Sequence, residues 1–150
     1  MNRRSALLSV IAIAAPLGGI RAAHAAPLPP VMAYRNPGCG CCEGWVRHMT
    51  AAGFVVTMED DPGLEARRSG LGVPAQLASC HTAQIGDYVI EGHVPPEDIV
   101  SLLEKHPVAR GLAVPGMPAG SPGMETGGPA DRYDTMVFLA DGTWSVYASR

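Results

Sequence analysis

The chain has 150 residues, a length typical of one ordinary domain, and carries 11 basic and 14 acidic residues. An acidic chain is a poor binder of nucleic acid, because contact with phosphates needs clustered Lys and Arg. We therefore expect no nucleic-acid partner.

The N-terminal segment has the order of a secretory signal peptide. The pair Arg3-Arg4 precedes the apolar run Ala6–Ile20, and Ala23–Ala25 suits signal peptidase. The run is short and interrupted by Gly and Pro, so a membrane anchor is the weaker alternative. We expect residues 1–25 to be removed, which leaves 8 basic against 14 acidic residues, a net charge of −6. We expect residues 26–150 to form one exported domain, with no stable membrane insertion.

The remaining chain predicts alternating strands and helices. In chain order the segments are strand Val31–Arg35, helix Cys42–Ala52, strand Phe54–Met58, helix Leu64–Ser69, strands Ser79–Ile85 and Tyr88–Gly92, a helix from Pro95 or Pro96 to Lys105, the aperiodic stretch Val108–Gly128, and strands Met136–Leu139 and Thr143–Tyr147. A βαβ unit followed by two antiparallel strands and a helix is a thioredoxin-like order. We therefore predict an α/β, thioredoxin-like fold with a central mixed sheet. A Gly/Pro/Met-rich C-terminal extension begins at about residue 108 and ends in a β-hairpin.

The chain has four cysteines, three of them within the segment Cys39-Gly40-Cys41-Cys42. Disulfides are the default in an oxidising compartment, but structural disulfides are spread along a chain to close long loops. The clustering therefore favours redox or metal chemistry. Cys39 and Cys42 have the C-x-x-C spacing of dithiol redox sites, whereas Cys39 and Cys41 have the C-x-C spacing of thiolate metal loops.

The predicted helix places these cysteines at its N-terminus, where unpaired N–H groups and the helix dipole stabilise thiolates. Three thiolates within one turn repel one another, and a soft cation neutralises them. Soft thiolates select Cu(I), Zn²⁺ or iron–sulfur clusters. Because exported proteins rarely receive iron–sulfur clusters, copper or zinc is favoured, with sulfur atoms close enough to bridge more than one Cu(I). The alternative is a plain Cys39–Cys42 disulfide beside one spare thiol.

The segment Ser79–Thr82 supplies the fourth cysteine, Cys80, next to His81. In a thioredoxin-like fold this segment lies near the cysteine loop, so Cys80 is predicted as a fourth sulfur ligand or as a disulfide partner. Side chains alternate along a strand, which predicts that Cys80 and His81 point to opposite faces. His81 and the loop residue His93 are each either a metal ligand or an ordinary polar residue.

Met117 and Met124 lie in the Gly/Pro-rich loop Val114–Glu125, and each follows a glycine. A methionine in such a loop has no obvious core to fill, and its thioether is a soft ligand suited to Cu(I). The alternative is flexible packing onto the domain. Beside three cysteines, we expect at least one of the two methionines to bind metal.

Four segments together resemble one known family. From about Val31 to Tyr147 the chain resembles the CopG-type periplasmic copper-resistance proteins. The segments that carry the resemblance are Cys39–Cys42 with Trp45 after it, Ser79–Ala83, Tyr88–Pro95, and Gly111–Pro118 through Gly120–Glu125. The resemblance implies a thioredoxin-like fold whose C-terminal extension helps to bind metal. It also implies interconversion of Cu(I) and Cu(II) for detoxification and export, with a periplasmic copper efflux system as a partner.

We therefore predict a periplasmic, monomeric copper-binding protein that takes part in copper resistance and interconverts Cu(I) and Cu(II). A copper oxidoreductase activity is one form of this function. The predicted metal ligands all carry a soft sulfur or an imidazole donor and are Cys39, Cys41, Cys42, Cys80, His81, His93, Met117 and Met124. Two alternatives stay open: a thiol–disulfide oxidoreductase acting on exported proteins, which needs no methionine, and a passive copper chaperone or store.

Overall fold

A computed structural model describes residues 27–150, so the predicted signal peptide lies outside the described residues. Within this range the elements are β1 (Val31–Arg35), α1 (Gly40–Ala51), β2 (Val56–Asp60), α2 (Leu64–Gly70), β3 (His81–Ile85), β4 (Tyr88–Glu91), α3 (Pro96–Lys105), β5 (Gly111–Ala113), β6 (Asp134–Phe138) and β7 (Trp144–Ser149). A short 3₁₀ turn, Ala75–Leu77, precedes β3. Across residues 27–150 no helix has the length and apolarity that crossing a membrane demands.

All seven described strands belong to one mixed sheet, in the order β2-β1-β3-β4-β5-β6-β7. β1 is parallel to β2 and antiparallel to β3, and β3 is antiparallel to β4. β4 and β5 are parallel, and β6 and β7 complete the sheet as an antiparallel hairpin. The predicted mixed α/β fold, with its βαβ unit, its following antiparallel strands and helix, and its C-terminal hairpin, is confirmed.

Helix α1 begins two residues earlier than the sequence pattern predicts, at Gly40. Gly38 adopts a φ of +79°, and the Cys39 N–H donates to the Asn36 carbonyl, which together turn the chain directly from β1 into the helix. The cysteine segment therefore forms the first turn of α1, with Cys39 as its N-cap. About one turn further along α1, the side chain of Trp45 is buried in the core.

The core lies between the sheet and the two helices α1 and α3. Apolar side chains from one face of the sheet and from both helices form a single cluster. Apolar residues recur every second residue along the strands and every third or fourth residue along the helices, so they all face the same side. Its buried members are Val31, Ala33, Trp45, Met49, Phe54, Ala83, Ile85, Ile90, Val94, Ile99, Leu102, Leu112 and Val114. The alternate residues Val89, Ala113 and Phe138 form a second, smaller cluster with Val73 and Leu77.

The stretch Val108–Gly128 was predicted to be aperiodic, but it contains the short strand β5. The register of β5 on β4 sets Gly111 opposite Val89, whose carbonyl occupies the space that a side chain at position 111 would need. A three-residue strand that starts with glycine is too short to show an alternation of apolar and polar residues in the sequence. This strand joins the C-terminal extension to the central sheet, so the extension is part of the same fold.

The C-terminal hairpin is also tied to α3 through Asp98. The Asp98 carboxylate accepts hydrogen bonds from the Thr135 hydroxyl at 2.7 Å and from Arg150 Nη2 at 2.5 Å. The Tyr147 hydroxyl donates to Ser101 Oγ at 2.9 Å, one turn further along the helix. These contacts hold the extension firmly beside the helix whose N-terminus follows His93.

Candidate metal centre

The first turn of α1 presents three cysteine side chains at the carboxyl end of β1. Cys42 is fully buried, whereas Cys39 and Cys41 are partly buried. The loop is held in place by Arg35, whose Nη1 donates to the Cys39 carbonyl at 3.1 Å. Cys39 and Cys42 form a disulfide with a Cα–Cα distance of 5.6 Å, so the C-x-x-C alternative is realised in this state of the protein. Cys41 remains a free thiol.

Cys80 lies opposite this turn. Its sulfur is 3.8 Å from Cys41 Sγ and 3.6 Å from Cys42 Sγ, and Cys41 Sγ is 3.4 Å from Cys39 Sγ. All four sulfur atoms lie within 4.8 Å of one another. The predicted approach of Cys80 to the cysteine loop is therefore present, although Cys80 is a free thiol rather than a disulfide partner.

Two histidines reach the same sulfur atom from the other side. Cys80 Sγ is 3.3 Å from His81 Nδ1 and 3.1 Å from His93 Nε2, and these three donors form a second group within 4.8 Å. The expectation that Cys80 and His81 point to opposite faces is wrong. Cys80 precedes the first residue of β3, so strand alternation does not govern its side chain.

Burial favours the neutral forms of Cys80, His81 and His93. Burial, followed by the neighbouring Cys41, raises the pKa of the Cys80 thiol to about 12. Burial lowers the pKa of His93 and, with His93 as a further cause, holds the pKa of His81 well below its usual range. Neutral imidazoles keep a nitrogen lone pair for a metal ion, whereas imidazolium does not.

The donor set fits a soft or borderline metal ion. Thiolates suit Cu(I) and Zn²⁺, and imidazole suits copper and zinc. His81 Nε2 is fully buried and, within residues 27–150, has no hydrogen-bond partner. The His81 ring instead lies 4.6 Å from the Trp45 ring, centroid to centroid. Buried polar atoms are nearly always paired, so the unpaired His81 ring is placed for something other than a structural hydrogen-bond network.

The loop Val114–Glu125 closes over the centre through one hydrogen bond to His93. His93 Nδ1 is 2.8 Å from the Pro122 carbonyl oxygen. A carbonyl only accepts, so Nδ1 must carry the proton, and the Nε2 lone pair is left facing Cys80. The loop thus fixes the tautomer that a metal ligand requires.

A backbone contact between Gly44 and Gly123 allows the loop to come this close. A Cβ at Gly44 would lie 2.6 Å from Gly123 Cα, and a Cβ at Gly123 would lie 2.8 Å from the Cys41 carbonyl oxygen. Glycine inside a helix is unfavourable, and the close approach of the loop gives the physical reason for Gly44 at this position. At the edge of the loop, Glu125 pairs with His48 at 2.6 Å.

The two methionines of this loop differ in exposure. Met117 is 53% exposed, whereas Met124 is partly buried. The loop around Met117 is tied to the Cys80 segment, because the Gly116 N–H donates to the Ala78 carbonyl at 3.2 Å. Metal ligation by at least one methionine stays a prediction.

We expect Gly123→Ala to displace the loop and to break the Pro122–His93 hydrogen bond. The matched control is Gly127→Ala, which has a similar positive φ but nothing within 4 Å of its Cβ. Strain alone costs about 1–2 kcal/mol, so Gly123→Ala should exceed this and Gly127→Ala should not. Urea unfolding measures the free energies, and ¹⁵N chemical shifts report the His93 tautomer. A retained Nδ1–H tautomer in Gly123→Ala would contradict the assigned role of the loop.

We also expect Cys80 to resist alkylation in the metal-free protein. With its pKa raised to about 12, the thiolate fraction is small at neutral pH. The alkylation rate should rise about tenfold per pH unit from about pH 7 to about pH 10.5, because only the thiolate reacts. Iodoacetamide labelling with peptide-resolved mass spectrometry measures this rate. A rate that levels off between about pH 9 and about pH 10 would show that the thiol titrates normally.

Comparison with known proteins gives a consistent relationship. Residues 77–124, which contain Cys80, both histidines and both methionines of the predicted ligand set, match the family described as a protein of unknown function, DUF411. No curated protein sequence matches the chain. The chain is 42% identical to the structure of copper resistance protein CopG, Form 1, with a TM-score of 0.78, covering 82% of this chain and 98% of that one. Form 2 gives 43% identity, a TM-score of 0.78, and coverage of 83% and 99%. The chain therefore belongs to the family of the copper resistance protein CopG.

Proposed function

We propose that this chain is a periplasmic copper-binding protein that takes copper as its substrate and interconverts Cu(I) and Cu(II). The observation that carries the proposal is the convergence of four sulfur atoms within 4.8 Å, with two imidazoles around one of them. Further support comes from the similarity to two structures of a copper resistance protein. Removal of the signal peptide and release into the periplasm belong to the same proposal.

The site offers two different donor sets that share Cys80. One set has sulfur donors only, as Cu(I) prefers. The other combines Cys80 with His81 and His93, and two imidazoles with one thiolate form a set that also binds Cu(II). Copper in either oxidation state therefore finds suitable donors within one site.

The cysteine pair Cys39–Cys42 can supply the electrons for this interconversion. In the reduced protein the two thiols lose two protons and two electrons as the S–S bond forms. Two Cu(II) ions each accept one of these electrons and become Cu(I). The disulfide form is the product of that step, and only Cys41 and Cys80 then remain as thiols. Another turnover requires a dithiol reductant to restore the pair.

The neutral histidines help the site to accept copper without competing protons. Because burial lowers the pKa values of His81 and His93, both rings stay unprotonated at neutral pH. Cys80 behaves in the opposite way, since its thiol must lose a proton when a metal ion binds. Binding copper at Cys80 therefore releases a proton.

One observation favours a second candidate, a thiol–disulfide oxidoreductase that acts on exported proteins. The Cys39–Cys42 disulfide lies at the N-terminus of α1, where a thiolate leaving group is stabilised. Such an enzyme needs neither Cys80 nor the methionine loop. Its activity would be the reduction of protein disulfides, or the oxidation of protein dithiols to disulfides, in the absence of copper.

The first test is an anaerobic Cu(I) titration of the fully reduced protein against a strong Cu(I) chelator. We expect the wild type to compete for Cu(I), and Cys80→Ser to weaken the apparent affinity at least ~10-fold by removing the donor common to both sets. His106→Ala is the control, because His106 is exposed at the end of α3. Failure of the wild type to compete would end the proposal.

The second test adds Cu(II) to the reduced protein without oxygen. We expect loss of the Cu(II) paramagnetic signal together with formation of the Cys39–Cys42 disulfide, in a ratio of two ions to one disulfide. Cys39→Ser keeps Cys41, Cys42 and Cys80 but cannot form this disulfide, so its reduction of Cu(II) should be slower. A passive store would bind Cu(II) with its signal intact, and an oxidoreductase for proteins would reduce a protein disulfide without copper.

A further inference from the structure

Arg68 and Glu91 form a buried ion pair behind the metal centre. Glu91, at the end of β4, has no exposed surface, and Arg68, on α2, is 6% exposed. Arg68 Nε lies 2.7 Å from Glu91 Oε1. Removing two charges from water is costly, and a buried pair is weak evidence for stability as such. Neither residue belongs to the two donor groups, so the pair needs another explanation.

Both members of the pair bind the backbone of one residue, Ser79. The Ser79 N–H donates to Glu91 Oε1 at 2.7 Å, and Arg68 Nη2 donates to the Ser79 carbonyl at 2.5 Å. Ser79 lies between the 3₁₀ turn and the first residue of β3, in a segment without the ladder hydrogen bonds of a strand. The ion pair therefore supplies the hydrogen-bond acceptor and donor that a neighbouring strand would otherwise offer to the Ser79 backbone. The next residue along the chain is Cys80.

Glu91 is also close in sequence to the second ligand-bearing segment. Gly92, with a φ of +71°, has no room for a side chain, because its Cβ would lie 2.6 Å from the Ser79 Cβ. His93 follows directly, and its Nε2 is 3.1 Å from Cys80 Sγ. Glu91 thus joins the segment that ends in Cys80 to the segment that carries His93.

We propose that Arg68 and Glu91 are positioning residues. They hold the backbone N–H and carbonyl of Ser79 in place and thereby keep Cys80 Sγ next to His93 Nε2. They act through Ser79 and are not metal ligands themselves. The consequence for copper affinity rests on the proposed function, but the placement of Cys80 in the metal-free protein does not.

The test uses the metal-free protein with the Cys39–Cys42 disulfide intact and compares the alkylation rates of Cys80 and Cys41. The main variant is Arg68→Met combined with Glu91→Leu, since apolar side chains of similar volume often replace a buried ion pair without loss of stability. We expect the ratio of the Cys80 rate to the Cys41 rate to rise about tenfold, because Cys80 loses its fixed, buried position. Near-ultraviolet circular dichroism, to which the buried Trp45 and the more exposed Trp144 both contribute, reports whether the core stays folded.

Two further variants keep the test decisive. Glu65→Gln is the matched control, because Glu65 is an exposed partner of Arg68 with a side chain that is 83% exposed. Its rate ratio should equal that of the wild type. Arg68→Lys keeps the buried positive charge but loses the planar fork that binds Glu91 and the Ser79 carbonyl together, so its ratio should rise as well. If the double variant unfolds, the rate ratio of Arg68→Lys decides whether the ion pair positions Cys80.

A folded double variant with an unchanged rate ratio would overturn the proposal, as would an unchanged ratio in Arg68→Lys when the double variant does not fold. A Cu(I) titration of the same proteins separates the two proposals. If the wild type binds Cu(I), the double variant should bind it about 10- to 100-fold more weakly. If the wild type does not bind Cu(I), the proposed function fails, while the alkylation ratio still decides the role of the ion pair.

Discussion

The antiparallel pairing of β1 with β3 is the constraint on which the whole site depends. Arg35 at the end of β1 is the register partner of His81 at the start of β3. The chain segments beyond these two paired ends must therefore meet at the same edge of the sheet. One segment is the first turn of α1, and the other carries Cys80, which lies 38 residues after Cys42 in the sequence. A rigid sheet, rather than a flexible loop, thus sets the distance between the sulfur atoms.

Burial then gives this meeting point its chemical character. In the metal-free protein the low-polarity surroundings keep the Cys80 thiol protonated and the His81 and His93 rings neutral. An arriving cation reverses the balance, since it stabilises the thiolate and uses the imidazole lone pairs. Without metal, Cys80, His81 and His93 are therefore uncharged and do not repel one another. The positive charge of a bound metal ion then stabilises the thiolate.

Local patterns in the sequence predict most of the fold but less of the site. The helix after the cysteines, the succession of strands and helices along the chain apart from β5, and both hairpins follow from periodicity and turn residues. The three-residue strand β5 has too few residues to show a period. Strand alternation wrongly predicts opposite faces for the side chains of Cys80 and His81, because the sequence does not show that the strand begins after Cys80. The contact of Gly44 with Gly123 and the buried ion pair join distant residues, which a single sequence does not reveal.

Under the proposed function, the Cys39–Cys42 disulfide would link copper affinity to the oxidation state of the protein. Forming this bond removes two thiols from the sulfur-rich donor set, so oxidation would weaken the binding of Cu(I). Linkage between two equilibria is reciprocal, and bound Cu(I) would therefore favour the reduced cysteine pair by the same free energy. Copper in the site would shield the thiols from oxidants, and an oxidising surrounding would help to discharge the metal. Loading and unloading of such a protein would follow the redox balance of its compartment without a separate regulatory domain.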